Sequence, residues 1–295
     1  MSKFLVGLDD GHGMETAGKR TCALKEDIKF RGKTFKKGSI IHENDFNENL
    51  MELVEKALDR CNVGHIQLAE GDTDITLSNR VKKANSKKVD LVVSIHANAL
   101  GNVWQTRAYG LVVIHHFNCS AKSKELANNC YKYLSTEVDW YSNGATKYKV
   151  RADKDISGYS LYILKNTNMP AVLIEYGFMD NWEDVKMMCS DKFQKDCAEA
   201  TAKGICDTLG VPYVAPKQEV VTPNKTQYVR VIYDGDLNIR KVADWNEKPC
   251  ATVKKGEVFT VIAEVQAKNG NTPMYKLKSG VYITTSTKYV QTFYK

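Results

Sequence analysis

Three side chains able to do acid–base or metal chemistry stand just past apolar runs of the chain: His12 after Phe4–Leu8, His96 after Val89–Ile95, and Glu175 after Ala171–Ile174. The first run leads into Asp9-Asp10-Gly11-His12-Gly13 and the second into His96-Ala97-Asn98. A strand that enters a Gly-flanked polar loop is where α/β folds place functional groups, and parallel strands bring such ends to one edge. Two imidazoles and a carboxylate gathered there would suit a catalytic zinc, whose site keeps a position open for water. The same histidines could instead be loop residues that cap their strands, since no H-E-x-x-H helix ties the ligands together in sequence. Spacing alone leaves both readings open. Asn98 could orient the site or be a plain turn-former. His115-His116 read as a strand-end pair, His65 as structural, and Lys82-Lys83 with Lys87-Lys88 as a solvated helix face. His42 neighbours Glu43 on an extended segment, so the two side chains should point opposite ways.

Positioning these groups requires a sheet and flanking helices. Lys3–Leu8, Gly64–Ala69, Val89–Ile95, Ala108–His115 and Ala171–Ile174 read as strands, Val89–Ile95 apolar enough to be buried on both faces. Between them, Phe46, Leu50, Leu53, Val54, Ala57, Leu58 and Cys61 recur at the spacing of an amphipathic helix over 45–61. Leu77–Lys87, Ala121–Val138 and Asp191–Leu209 read as further helices, and Lys29–Ile41, with Gly32 and Gly38, as a hairpin. This alternation predicts an α/β domain with a largely parallel sheet over residues 1–210. Pro212, Pro216 and Pro223 then mark a linker over 211–226. Short β-type runs at Tyr228–Ile232, Asn238–Arg240, Val258–Val265, Met274–Lys278 and Tyr282–Thr284 predict a small all-β barrel over 227–295.

Composition narrows the function classes. With 43% hydrophobic and 26% charged residues in 295, the chain can bury cores, and no stretch approaches the ~20 apolar residues of a membrane span. Phe4–Leu8 is too short for a secretory core and two acids follow it, so synthesis in the cytoplasm without a signal peptide is expected. Of the net charge of +7, thirteen basic and seven acidic residues from Pro212 onward supply +6, against 29 basic and 28 acidic residues before it. A basic tail on a nearly neutral body suggests an anionic partner: nucleic acid, anionic membrane or a teichoic-acid-bearing wall. No nucleic-acid motif accompanies that charge. The eight cysteines form no C-x-x-C pair and read as free, mostly buried thiols.

Four segments then carry a resemblance: Asp9-Asp10-Gly11-His12-Gly13, Glu43-Asn44-Asp45-Phe46-Asn47, Ser94-Ile95-His96-Ala97-Asn98-Ala99, and Val172-Leu173-Ile174-Glu175-Tyr176-Gly177-Phe178-Met179-Asp180-Asn181. In order and spacing, from Lys3 to about Leu209, they resemble the zinc-dependent N-acetylmuramoyl-L-alanine amidases of the type 3 amidase family, found in phage endolysins and bacterial autolysins. Asp10 stands where that family often has Pro or Ala, a change expected to be tolerated in a loop. The resemblance implies His12, Glu43 and His96 as zinc ligands and Glu175 as the catalytic carboxylate. Glu26 is the alternative third ligand; Glu43 is preferred because it directly precedes the Phe-Asn helix start. By the same resemblance the bond cut joins the lactyl group of N-acetylmuramic acid to L-alanine of the stem peptide. The nearest alternatives are a zinc peptidase cutting within that peptide and a non-catalytic wall-binding protein.

Beyond the linker, Leu237-Asn238-Ile239-Arg240, the Lys-Gly-Glu turn at 255–257, Met274-Tyr275-Lys276-Leu277 and Gly280-Val281-Tyr282-Ile283 resemble bacterial SH3-type domains, which in lytic enzymes bind cell wall. Tyr228, Tyr233, Trp245, Tyr275 and Tyr282 offer aromatic faces for sugar or peptide. The expectation is a phage endolysin-like hydrolase of Gram-positive peptidoglycan that reaches the wall after release by a separate lysis protein and uses neither nucleic acid nor membrane insertion.

Overall fold

A computed structural model of the chain describes residues 2–141, 149–216 and 226–294. Contacts gather into two compact units, residues 1–216 and 217–295. The first unit begins with β1 (Leu5–Asp9), then a hairpin of β2 (Ile28–Phe30) and β3 (Lys33–Phe35), helix α1 (Glu43–Arg60), β4 (Gly64–Gln67) and α2 (Leu77–Lys87). There follow β5 (Leu91–Asn98), β6 (Leu111–His115), α3 (Ala121–Glu137), β7 (Lys149–Ala152), α4 (Asp153–Ser157) and α5 (Tyr162–Asn166). It closes with β8 (Ala171–Phe178), α6 (Trp182–Met188) and α7 (Asp191–Leu209).

Six strands form one sheet in the order β4-β1-β5-β8-β6-β7. Pairing is parallel from β4 through β8 and again between β6 and β7, with the single antiparallel step between β8 and β6. The central strands are apolar on both faces because helices cover both. Phe46, Leu50, Val54, Ala57 and Leu58 of α1 join the larger core on one side, with Leu126, Leu134, Ala198 and Ile205 from α3 and α7. Val81 and Ala84 of α2 with Ile163 and Leu164 of α5 line the smaller core on the other. Each fully buried Leu or Ile there contributes roughly 1.5–3 kcal/mol.

Several local expectations are corrected. β5 and β8 do not stop at their last aliphatic residue: His96 and Asn98 lie inside β5 and Glu175 inside β8, with His96 opposite Glu175 in the parallel register. Backbone pairing continues after the side chains turn polar, because the sheet is still paired where its edge opens to a cleft. Glu43 is the first residue of α1 and not the residue before it, with His42 as the N-cap. The hairpin turns at Arg31-Gly32, both with positive φ, and Gly38 lies outside it. Asp10 does lie in a loop, where it is 1% exposed, and burial, with Asp9 beside it, pushes its carboxyl up to about 7. β7 and α4–α6 are too short or too polar to show a period. All eight cysteines are unbridged; five are buried, Cys22 and Cys119 half-buried and Cys250 exposed.

The strands of the second unit pair antiparallel: β9 (Gln227–Val231), β10 (Leu237–Ile239), β11 (Ala251–Val253), β12 (Val258–Val265), β13 (Met274–Leu277), β14 (Tyr282–Thr284) and β15 (Val290–Tyr294). Five strands pair in the order β14-β13-β12-β9-β15 and β10 pairs with β11. Val229, Val231, Val261, Tyr275, Leu277, Ile283 and Val290 close its own core. β11 and β15 are additions to the strands expected from sequence. Tyr275 is thereby a core residue, whereas Tyr233 is 41% exposed.

Candidate active site

The edge where β1, β5 and β8 end brings together residues far apart in sequence. His12 sits on the loop after β1, Glu43 at the start of α1, and His96 near the end of β5; one ligand atom from each lies within 4.8 Å of the others. The His12 and His96 rings meet edge to face at 5.2 Å. Gly11 permits this approach: its φ is +73°, and a Cβ there would lie 2.7 Å from Asn47 Nδ2 and 2.8 Å from His96 Cε1. Glu26 is exposed, ahead of β2, and outside the cluster.

Glu43 is fully buried and its two oxygens are treated differently. Oε1 interacts with His96 Nδ1 at 3.0 Å and accepts the Ala97 amide at 3.1 Å and Asn47 Nδ2 at 3.4 Å. Oε2 accepts no hydrogen bond among the described residues, with His12 Nε2 at 3.8 Å and Lys19 Nζ at 3.6 Å. Burial alone would raise the Glu43 carboxyl, but the hydrogen bond and charge of His96, helped by His12 and Lys19, hold it low and ionised. Burial pushes His12 down to about 4, which leaves its ring neutral with a free lone pair. His96 is raised: burial opposes the cationic ring, but the partner Glu43 carboxylate prevails. Two imidazoles beside an ionised carboxylate with one unpartnered buried oxygen fit a borderline metal ion with nitrogen and oxygen ligands.

Glu175 stands across the cleft. Its Oε2 is shut from solvent without a hydrogen-bond partner among the described residues, and burial, in spite of His96, pushes the carboxyl up to about 7. With Lys19, Asn98, Ala97, Ala99 and Met179 it lines a cleft of about 180 Å³. Asn98 Oδ1 accepts the Ala99 amide, so its amino group is the end left to face a ligand. The remaining histidines lie outside the cluster: His42 caps α1, its amide donating to Asp45; His65 pairs with Glu55 and Asp59; His115 contacts His116 and Cys119.

Sequence reasoning missed what holds the His12 loop. Arg80 of α2, only 2% exposed, donates to Asp9 Oδ1 at 2.8 Å, Asp74 Oδ1 at 2.8 Å and the Ile75 carbonyl at 2.6 Å. Ser94 on β5 donates to the other Asp9 oxygen, and Thr16 donates to Asp74 Oδ2 at 2.7 Å. Gly13 packs so tightly on this bracket that a Cβ would lie 2.4 Å from the Asp74 nitrogen. Its position among the buried residues of α2, with Val81 and Ala84, is the signal that marks Arg80 out from the solvated lysines.

Residues 6–207 match the N-acetylmuramoyl-L-alanine amidase family. The chain is 33% identical over 300 residues, 98% of each partner, to a protein named endolysin from Bacillus phage SPP1. Among solved structures, the catalytic domain of CwlV, an N-acetylmuramoyl-L-alanine amidase from Bacillus (Paenibacillus) polymyxa var. colistinus, aligns with a TM-score of 0.55 at 25% identity, over 72% of this chain and 100% of that one. AmiC2 of Nostoc punctiforme, another such amidase, aligns with a TM-score of 0.53 at 26% identity, over 71% and 98%. With this sheet, this cleft and these matches, the chain belongs to the N-acetylmuramoyl-L-alanine amidase family and is a peptidoglycan amidase.

Proposed function

We propose that hydrolysis is zinc-dependent, with His12, Glu43 and His96 holding the ion and Glu175 moving the proton. The observation that carries this is Glu43 Oε2, buried beside a neutral His12 and without a hydrogen bond. An unpartnered buried carboxylate oxygen is costly, by about 1–3 kcal/mol or more, unless a cation completes it. When bound, zinc supplies Lewis acidity, which polarises the scissile carbonyl and makes water nucleophilic near neutral pH. Glu175 accepts the proton of the attacking water and returns it to the departing L-alanine amine, a role suited to a carboxyl raised by burial. Asn98 presents its amino group to a carbonyl of the stem peptide. Asn47 and the Ala97 amide keep Glu43 from rotating.

Residues 227–295, after the linker at 211–226, act in this reading as an SH3-type wall-binding domain behind the catalytic residues 1–210. Their antiparallel sheet and the full-length similarity to the phage SPP1 protein support it. The setting is then a phage endolysin acting on Gram-positive peptidoglycan. Digestion of purified wall, with and without chelator, tests the reading by mass spectrometry. Stem peptides with free N-terminal alanine and intact glycan, lost with chelator and restored by zinc, are expected; cuts within the peptide would replace the amidase by the peptidase.

A further inference from the structure

Lys19 lines the cleft beside the metal cluster, and its charge, which helps keep Glu43 ionised, is not itself a ligand to the ion. Its ammonium lies 3.6 Å from Glu43 Oε2, beyond hydrogen-bond reach, and its side chain is 41% exposed. A cation placed there repels the ion that the cluster is built to hold, so its presence calls for a compensating role. Its backbone is fastened on both sides: the amide donates to Thr16 at 3.3 Å, and the carbonyl accepts the Glu43 amide at 2.9 Å. The turn that places it uses Gly18 at φ +78°. Lys19 is thus hung from the first residue of α1, beside the Glu43 carboxylate, and lines the cleft that Glu175 and Asn98 also line.

We propose that Lys19 is a further catalytic residue, donating to the oxygen of the scissile carbonyl as it becomes an oxyanion. This rests on the zinc-amidase reading above. Attack of water on the amide forms a C–O bond and moves the carbonyl π electrons onto oxygen; collapse returns them and breaks the C–N bond, with the proton delivered through Glu175 to the amine. With Glu43 and Glu175 ionised, a divalent ion and Lys19 together leave the cleft with a surplus of positive charge. Attack moves one negative charge from Glu175, which takes the water's proton, to the carbonyl oxygen; that oxygen carries the charge only in the transition state, so a cationic donor aimed at it raises kcat more than affinity.

The test is the full chain with Lys19→Met and Lys19→Arg, assayed on a soluble muropeptide for kcat and KM, and by chelator competition for zinc affinity. Expected for Lys19→Met is a fall in kcat of about 10²–10³-fold, the range for loss of one oxyanion donor. KM should stay within about twofold and zinc affinity should be unchanged or tighter, as removal of a repelling charge requires. Lys19→Arg should recover part of kcat. An unchanged kcat, a rise in KM alone, or activity lost in step with zinc would each overturn the proposal. Cleavage by chelated wild-type protein would instead overturn the zinc reading, and it is read in a separate arm from the Lys19→Met ratio.

Discussion

At the scale of single residues, the two buried carboxylates of the site are held in different states. Glu43 is held low by His96 against burial, whereas Glu175, opposite His96 in the strand register, is raised by burial. Glu175→Gln should therefore lower kcat by about 10²–10⁴-fold, the range for a general acid–base. Zinc affinity in chelator competition should stay unchanged, since the amide keeps the shape and does not touch the cluster ligands. Glu43→Gln should do the reverse, losing the ion first and activity with it. A thermal scan gives an independent reading: a metal at a hundredfold excess over its Kd adds about 2.7 kcal/mol. For a unit of this size that is a rise of roughly 5–11 °C. The rise should be present in wild type and in Glu175→Gln, and absent in Glu43→Gln.

At the scale of elements, two ties between secondary structures should have measurable weight. Arg80 joins α2 to β1 through Asp9, and Ser94 joins β5 to the same carboxylate, so the His12 loop and the His96 strand share one anchor. Arg80→Met leaves Asp9 buried and uncompensated, and unfolding in urea should show a loss of about 3–5 kcal/mol. Zinc affinity should fall as well, because His12 follows Asp9 by three residues. His65 on β4 ties to Glu55 and Asp59 of α1, whose carboxylates raise its pKa. A histidine raised in the folded state stabilises fully below its unfolded value of about 6.5 and loses that contribution as pH rises through the folded value. The Tm difference between wild type and His65→Gln should thus shrink as pH rises above about 6.5, the stabilisation behind it staying under about 1 kcal/mol because the pair is partly exposed. The long helices and the central strands were legible in sequence because their apolar periods span many residues. Their polar ends were not: β5 and β8 run on through His96 and Glu175 because neighbouring strands still pair with them.

At the scale of the whole molecule, catalysis and wall affinity should divide with the chain. Each unit has its own core. A chain ended after Pro216 should hydrolyse soluble muropeptides at a kcat within about twofold of the full chain, while its retention on Gram-positive walls falls. The second unit carries most of the basic excess. If that charge contributes to retention, full-chain binding should weaken between about 0.05 and 0.5 M salt, where screening shortens from above 10 Å toward a few ångströms. Sedimentation with purified walls measures both.

The sequence by itself determined the long helices, the central strands, and the short blocks around His12, Glu43, His96 and Glu175. Each of these is written in contiguous residues, as a hydrophobic period or a motif. Only the tertiary structure decided that Glu43 and not Glu26 stands beside both histidines, that Asp10 is buried, that Arg80 is an anchor among solvated lysines, and that Lys19 reaches the cleft. Those facts depend on which side chains meet across separations of 24 to 71 residues. Such meetings are fixed by strand order and helix packing, which place residues by topology and carry no local signature in the chain.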